Sequence, residues 1–240
     1  MRSAEALGDV LLQLLVLVPP IALARRSPGA ARGRSLAASA AVFALTSLAT
    51  DLPATVQLFA GQSWNWVGKL AAGAVAGGCV AALRPATPAS LTITTRIERA
   101  GSGPIAAVCG AYVLLRLGLW LASAEAGGWD PETLAFQVLL PGPVEELIFR
   151  GLLLSLATRA YSERPWTFAG VPYGWAVVLT SLLFAATHGV FLDGLHVRFE
   201  AFPTARALVD GFLFALLTVR TKSLVPAIVL HDALNLIGNH

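Results

Sequence analysis

Charge is what this sequence has least of. Asp, Glu, Lys and Arg make up 13% of its 240 residues, against ~25% in a soluble domain. A water-soluble fold would need far more polar surface to cover itself. Cysteine is nearly absent: Cys79 and Cys109 are the two, both inside apolar runs. That excludes a disulfide framework and a CxxC zinc site. There is no HExxH pair to hold a catalytic zinc on one helix face. No serine stands in an apolar segment paired with a histidine, as a serine protease of the membrane would require. No basic stripe interleaved with aromatics exists, and the formal net charge is only +3, so nucleic acid is not an expected partner.

What the chain has instead is apolar sequence. Hydrophobic residues reach 56% and mean hydropathy is +0.69. Eight apolar segments run over roughly 6–24, 36–60, 65–83, 104–124, 132–159, 173–191, 204–220 and 224–238. Most approach the ~20 residues that span a bilayer as a helix. The expected fold is therefore all-α, a polytopic bundle of about eight transmembrane helices forming one integral membrane domain over 1–240. Pro141-Gly142-Pro143 interrupts the fifth segment, so its spanning helix is expected to start near Pro143. Ala22-Leu23-Ala24 resembles a signal-peptidase site, but Glu5 and Asp9 flank that apolar core, and the segment is read as a span.

Basic residues favour alternate connections. The first carries Arg25, Arg26, Arg32 and Arg34; the third Arg84, Arg96 and Arg99; the fifth Arg159 and Arg164; the seventh Arg220 and Lys222. The second has none, the fourth has Glu125, Asp130 and Glu132, and the sixth has Arg198 with Asp193 and Glu200. The positive-inside rule then puts both termini outside and the odd-numbered connections in the cytoplasm. The polar loop from Pro85 to Gly103 is expected at the surface.

An ionisable residue at a helix centre in a bilayer costs ~2.5 kcal/mol or more, so each needs a reason. Three clusters stand out. In Pro143-Val144-Glu145-Glu146-Leu147-Ile148-Phe149-Arg150, Glu146 and Arg150 share a helix face at i, i+4 and can pair. That makes Arg150 a structural residue and leaves Glu145, a quarter turn away, free to face a cavity. The bland alternative is a helix-end salt bridge with solvated acids. In Phe184-Ala185-Ala186-Thr187-His188-Gly189, His188 ends an apolar run; alone, it is as well explained as an interfacial histidine. In His231-Asp232-Ala233-Leu234-Asn235, His231 and Asn235 share a face; alone, they are equally well read as interhelical polar contacts.

Together the clusters hold the parts of a hydrolytic site. Glu145 could act as general base on a water, His188 could hold that water or a metal, and His231 with Asn235 could stabilise an oxyanion. Glu145, His188 and His231 are also zinc-ligand types, so the set admits a divalent metal. The rival class is a transporter or channel using the same polar residues, although paired interrupted helices in two related halves are not visible. A non-catalytic membrane scaffold is the third reading.

Glu145-Glu146 with Arg150 resembles an EExxxR motif, Phe184 with His188 an FxxxH motif, and His231 with Asn235 an HxxxN motif. The ordered triple over 143–235 is similar to the CPBP family, the CAAX-protease and bacteriocin-processing group of intramembrane proteases. The resemblance implies an eight-helix bundle with its site in a cavity open to the membrane. It also implies that Glu145 and His188 activate water, supported by Glu146, His231 and Asn235, with Arg150 and Phe184 as structural support. Whether a metal takes part is not settled by it. Asp232 has no role in that pattern and is expected to orient a histidine. Arg116, inside the fourth segment, is expected to bind a substrate carboxylate or a lipid head group.

On the positive-inside topology, Glu145 lies near the outer face and His188 about 22 Å along its helix, also near that face. His231 lies only ~10 Å into the last helix, which fits if that helix begins within the membrane, as Pro226 in a first turn permits. An outward site suits cleavage of C-terminal membrane anchors, as in sorting-type branches of the family, better than cleavage of cytoplasmic prenylated tails. Ala- and Arg-rich composition points to a GC-rich bacterial genome and an inner-membrane location. The expected partners are the lipid bilayer and a membrane-anchored protein or peptide substrate.

Overall fold

A computed structural model describes residues 2–24, 30–51, 56–58, 61–83, 96–123 and 130–238. Arg25, Arg26, Arg84, Glu125 and most of the loop expected at 85–103 lie outside the described residues.

Each of the eight apolar segments contains helix among the described residues. The first is α1 (Arg2–Val16) followed by α2 (Val18–Leu23); Pro19 and Pro20 remove the donors that would continue one helix through Leu17. The second is α3 (Ala30–Asp51), the third α4 (Trp66–Leu83) and the fourth α5 (Gly103–Ala122). α3 and α4 lie close because α4 presents Gly68, Ala72 and Ala76 as buried residues. A Cβ on Gly68 would stand 2.1 Å from the Thr50 carbonyl oxygen. Such small faces are how membrane helices approach closely.

The fifth segment is α6 (Pro131–Leu139), then α7 (Pro141–Glu146), a π-helical stretch over Leu147–Leu153, and α8 (Leu154–Ala160). Asp130 caps α6 by accepting from Thr133 N at 3.0 Å. The break comes at Leu140, and the inner helix starts at Pro141, two residues before the expected position. Proline at a first helical position gives up no bond.

The sixth, seventh and eighth are α9 (Trp175–Gly189), α10 (Ala201–Thr221) and α11 (Val225–Gly238). Two antiparallel hairpins flank α9: β1 (Trp166–Phe168) with β2 (Val171–Tyr173), and β3 (Val190–Asp193) with β4 (His196–Phe199). The sequence reading had run the sixth helix over 173–191 and seen neither. Ala169 and Gly170, at φ 48° and 76°, make the first two-residue turn, and Gly194 at φ 62° opens the second, the conformation that right-twisted hairpins need.

By length and composition, Glu5–Ala22, Trp66–Leu83, Gly103–Ala122 and Ala201–Thr221 can each cross a membrane, while α9 and α11 are shorter apolar helices. The protein is an all-α integral membrane bundle. Its core gathers around Phe43, Phe149, Phe184 and Phe214. The link into α11 is buried at Thr221, Ser223 and Leu224, so α11 starts inside the bundle with Pro226 in its first turn.

Candidate active site

Glu146 and Arg150 are 0% and 1% exposed. A buried charge needs a partner, and here each has one: Arg150 Nη1 donates to Glu146 Oε1 at 3.0 Å. Arg150 Nη2 donates to the Gly211 carbonyl on α10 at 3.0 Å. The guanidinium lies 4.5 Å from the Phe184 ring centre and 5.1 Å from that of Phe214. Arg150 and Phe184 therefore clamp α9 and α10 onto the helix that carries the two glutamates. Gly211 allows this close approach: a Cβ there would be 3.0 Å from Phe184 and 3.2 Å from Arg150, and those side chains would have to give way by a few tenths of an ångström.

The same Glu146 oxygen lies 2.8 Å from His231 Nδ1. A carboxylate only accepts, so Nδ1 carries the hydrogen. The imidazole is held flat on Phe214, at 4.9 Å between centres and 15° between planes. Its other nitrogen, Nε2, stands 3.9 Å from Glu145 Oε2. His188 is fixed by the same logic. Its Nδ1 is 2.8 Å from the Phe184 carbonyl, which also only accepts, so Nδ1 is the protonated nitrogen and Nε2 offers a lone pair.

Glu145 receives a hydrogen bond from Lys69 Nζ on its Oε1, while Oε2 is buried and has no hydrogen-bond partner. Two cavities meet at this carboxylate. The larger, about 440 Å³, extends toward Glu5, Asp9, Thr46, Thr50 and Asp51. The smaller, about 210 Å³, includes Trp64, Arg206, His231 and Asn235. Lys69, Glu145 and His188 line both. Asn235 is half-buried and makes no hydrogen bond among the described residues.

The residues of the three motifs, Glu145, Glu146, Arg150, Phe184, His188, His231 and Asn235, thus reach one region, and Lys69 and Arg206 join them unforeseen. Lys69 carried a readable signal, a lone ammonium four residues into an apolar segment. Arg206 stood near a helix end and did not. Two expectations are corrected. Arg116 is not free for a ligand: its Nη1 lies 3.7 Å from Asp210 Oδ2 and 3.4 Å from the Tyr112 hydroxyl. Asp232 does not orient a histidine: its carboxylate lies against Gly142 in the first turn of α7, where a Cβ would be 2.0 Å from Oδ1.

The metal reading does not fit this arrangement. Among the described residues no three or more His, Cys, Asp or Glu side chains are grouped to hold an ion. The place for a cation beside Glu145 is taken by Lys69. No step below runs through a metal.

The bundle thus brings a glutamate and two histidines, Glu145, His188 and His231, to one internal cavity. Residues 128–237 match the model of a family described as Rce1-like, type II CAAX prenyl endopeptidase Rce1-like. This stretch, a little under half of the chain, contains all three motifs. No curated protein and no solved structure matches the chain.

Proposed function

We propose that the protein is an intramembrane endopeptidase that cleaves a membrane-anchored peptide or protein near its C-terminus with a water activated by Glu145 and His188. The observation that carries this reading is the unpartnered Oε2 of Glu145 beside two imidazoles. Each imidazole has its Nδ1 tied to an acceptor, leaving Nε2 to the site.

The residues divide the work. Lys69 holds Oε1 of Glu145 and keeps the carboxylate in place, so that Oε2 is the oxygen presented to water. His188 Nε2 accepts a hydrogen bond from the same water and orients it. The water oxygen attacks the scissile carbonyl as its proton passes to Glu145, a transfer worth about 10²–10⁴-fold in rate. The carbonyl π electrons move onto oxygen, where the Asn235 amide, and His231 when doubly protonated, donate to the oxyanion. As the C–N bond breaks, Glu145 returns its proton to the leaving nitrogen. Glu146 and Arg150 hold His231 and the glutamate-bearing helix in register.

The positive-inside pattern supports a site near the outer face of a bacterial inner membrane and a sorting-type substrate. Cysteine tags at both termini landing in the cytoplasm would defeat that orientation.

The test compares wild type, Glu145→Gln and His188→Ala in lipid on membrane-anchored proteins from the same cell. Cleavage is scored by mass spectrometry, with and without a chelator. Wild type is expected to cleave, both variants to fall by about 10²-fold or more, and the chelator to have no effect. Variants as active as wild type would sink the assignment.

A further inference from the structure

Arg206 and Asp210 are four residues apart on α10, the spacing at which an arginine and an aspartate usually pair. Here they do not. Asp210 Oδ1 accepts from the Tyr112 hydroxyl at 2.8 Å, and Oδ2 faces Arg116 Nη1 at 3.7 Å. Two residues of α5 thus draw the aspartate away. Arg206 is left with no hydrogen bond or ion pair among the described residues. It is partly buried and lines the 210 Å³ cavity with Glu145, His188, His231 and Asn235; Asp210 also reaches that wall, but with both carboxylate oxygens turned to α5.

The other cations of the site differ. Lys69 is bound to Glu145 and Arg150 to Glu146. An unpaired guanidinium lining a cavity favours an anion, and its planar fork suits a carboxylate or phosphate in two-point contact. The cavity is below the ~300–1,000 Å³ of a site for a drug-sized molecule, so it admits a short end of a chain and not a folded domain.

We propose that Arg206, which lines the catalytic cavity together with Asn235, forms an anion-binding subsite there. Its ligand is a carboxylate or phosphate; resting on the endopeptidase reading, the first source is the free C-terminal carboxylate of the substrate. Binding there would set the distance from the chain end to the bond facing Glu145. The second source is the phosphate of a lipid head group.

The probe is a pool of acylated peptides with the last three residues randomised, made once as free acids and once as C-terminal amides. Binding is read on His188→Ala protein, which leaves the Lys69–Glu145 pair intact, in phosphatidylcholine nanodiscs. The acid pool should bind several-fold better than the amide pool. Arg206→Met should abolish the difference, and Arg206→Lys should keep part of it. A parallel arm adds phosphatidylglycerol and follows thermal stability. A rise in wild type that Arg206→Met lacks, without any acid preference, identifies lipid phosphate as the anion. Equal binding of acid and amide, together with the same lipid response in wild type and Arg206→Met, overturns the subsite. A preference that survives Arg206→Met overturns it too. Because binding needs no turnover, a protein that cleaves nothing argues against the peptidase reading and leaves the subsite to be judged on these data.

Discussion

Glu146 joins the last helix to the glutamate-bearing helix through one oxygen: Oε1 takes the His231 Nδ1 hydrogen at 2.8 Å and the Arg150 Nη1 hydrogen at 3.0 Å. The first contact fixes an imidazole, and the second neutralises the carboxylate. All three groups are buried, so none can turn to water if another is removed.

This geometry predicts unequal costs. Glu146→Ala leaves the Arg150 guanidinium buried without its partner and should destabilise the fold by ~3–5 kcal/mol. Glu146→Ala with Arg150→Met removes both charges and should be less damaging than Glu146→Ala alone. Both should abolish activity, because His231 loses its anchor. Half-denaturation in a detergent–denaturant series checks the order; additive losses would mean that the pair is not coupled.

Lys69 supplies a second prediction. Its ammonium donates to Glu145 Oε1 from α4, outside the stretch that matches the family. Lys69→Met should lower turnover about 10-fold or more, the scale on which loss of a fixed orientation registers. Substrate affinity should change less, and Lys69→Arg should recover much of the rate because it returns a cation to the same oxygen. Steady-state kinetics on a cleaved substrate separates the two parameters. If Lys69→Met and Lys69→Arg are equally impaired with equal melting points, charge is not what Lys69 contributes.

How much of this could be read beforehand depends on the range of each interaction. The spans were legible because apolar runs report a bilayer directly, and the Glu146–Arg150 pair because i, i+4 is fixed by helix geometry. The two hairpins were hidden inside apolar runs, where Val190 and Phe191 look like the continuation of α9. Their signal lay only in Gly170 and Gly194. The partners of Arg116 and Asp232 depend on which helices touch. Asp210 reaches Arg116 from 94 positions away, and no local spacing encodes that. Lys69 was overlooked although an ammonium in an apolar segment is costly enough to demand a partner.

A third prediction concerns pH at the rim. Glu132, ahead of the inner helix, accepts from the backbone of Ser63 at 3.0 Å and of Trp64 at 3.1 Å, and from the Trp66 indole at 3.0 Å. The Ser63 amide above all, aided by Trp66, holds its carboxyl below the usual 4.5. A depressed folded value means that this clasp contributes fully above the ordinary glutamate range and is lost as pH falls through the lower folded value. Amide exchange at Ser63 and Trp64 should stay slow from neutral pH down to that range and speed up below it. Glu132→Gln should show the faster exchange already at neutral pH. Trp64 also lines the smaller cavity, so a loosened clasp should weaken substrate binding in parallel.

The last prediction uses residues that do not line the smaller cavity at all. Tyr112 and Arg116 keep Asp210 away from Arg206, and their removal should let Asp210 close the i, i+4 pair that helix spacing favours. Tyr112→Phe with Arg116→Met should therefore abolish the preference for a free carboxylate over an amide, although Arg206 itself is untouched. Adding Arg206→Met to that pair should change nothing further, since the same guanidinium is already occupied. Such non-additivity marks action through a shared group. Replacing Asp210 by Asn in the Tyr112→Phe, Arg116→Met background should restore the preference, because an amide does not neutralise Arg206. If the preference instead survives when Asp210 is released, then Asp210 does not reach Arg206, and the α5 contacts serve only to hold two helices together.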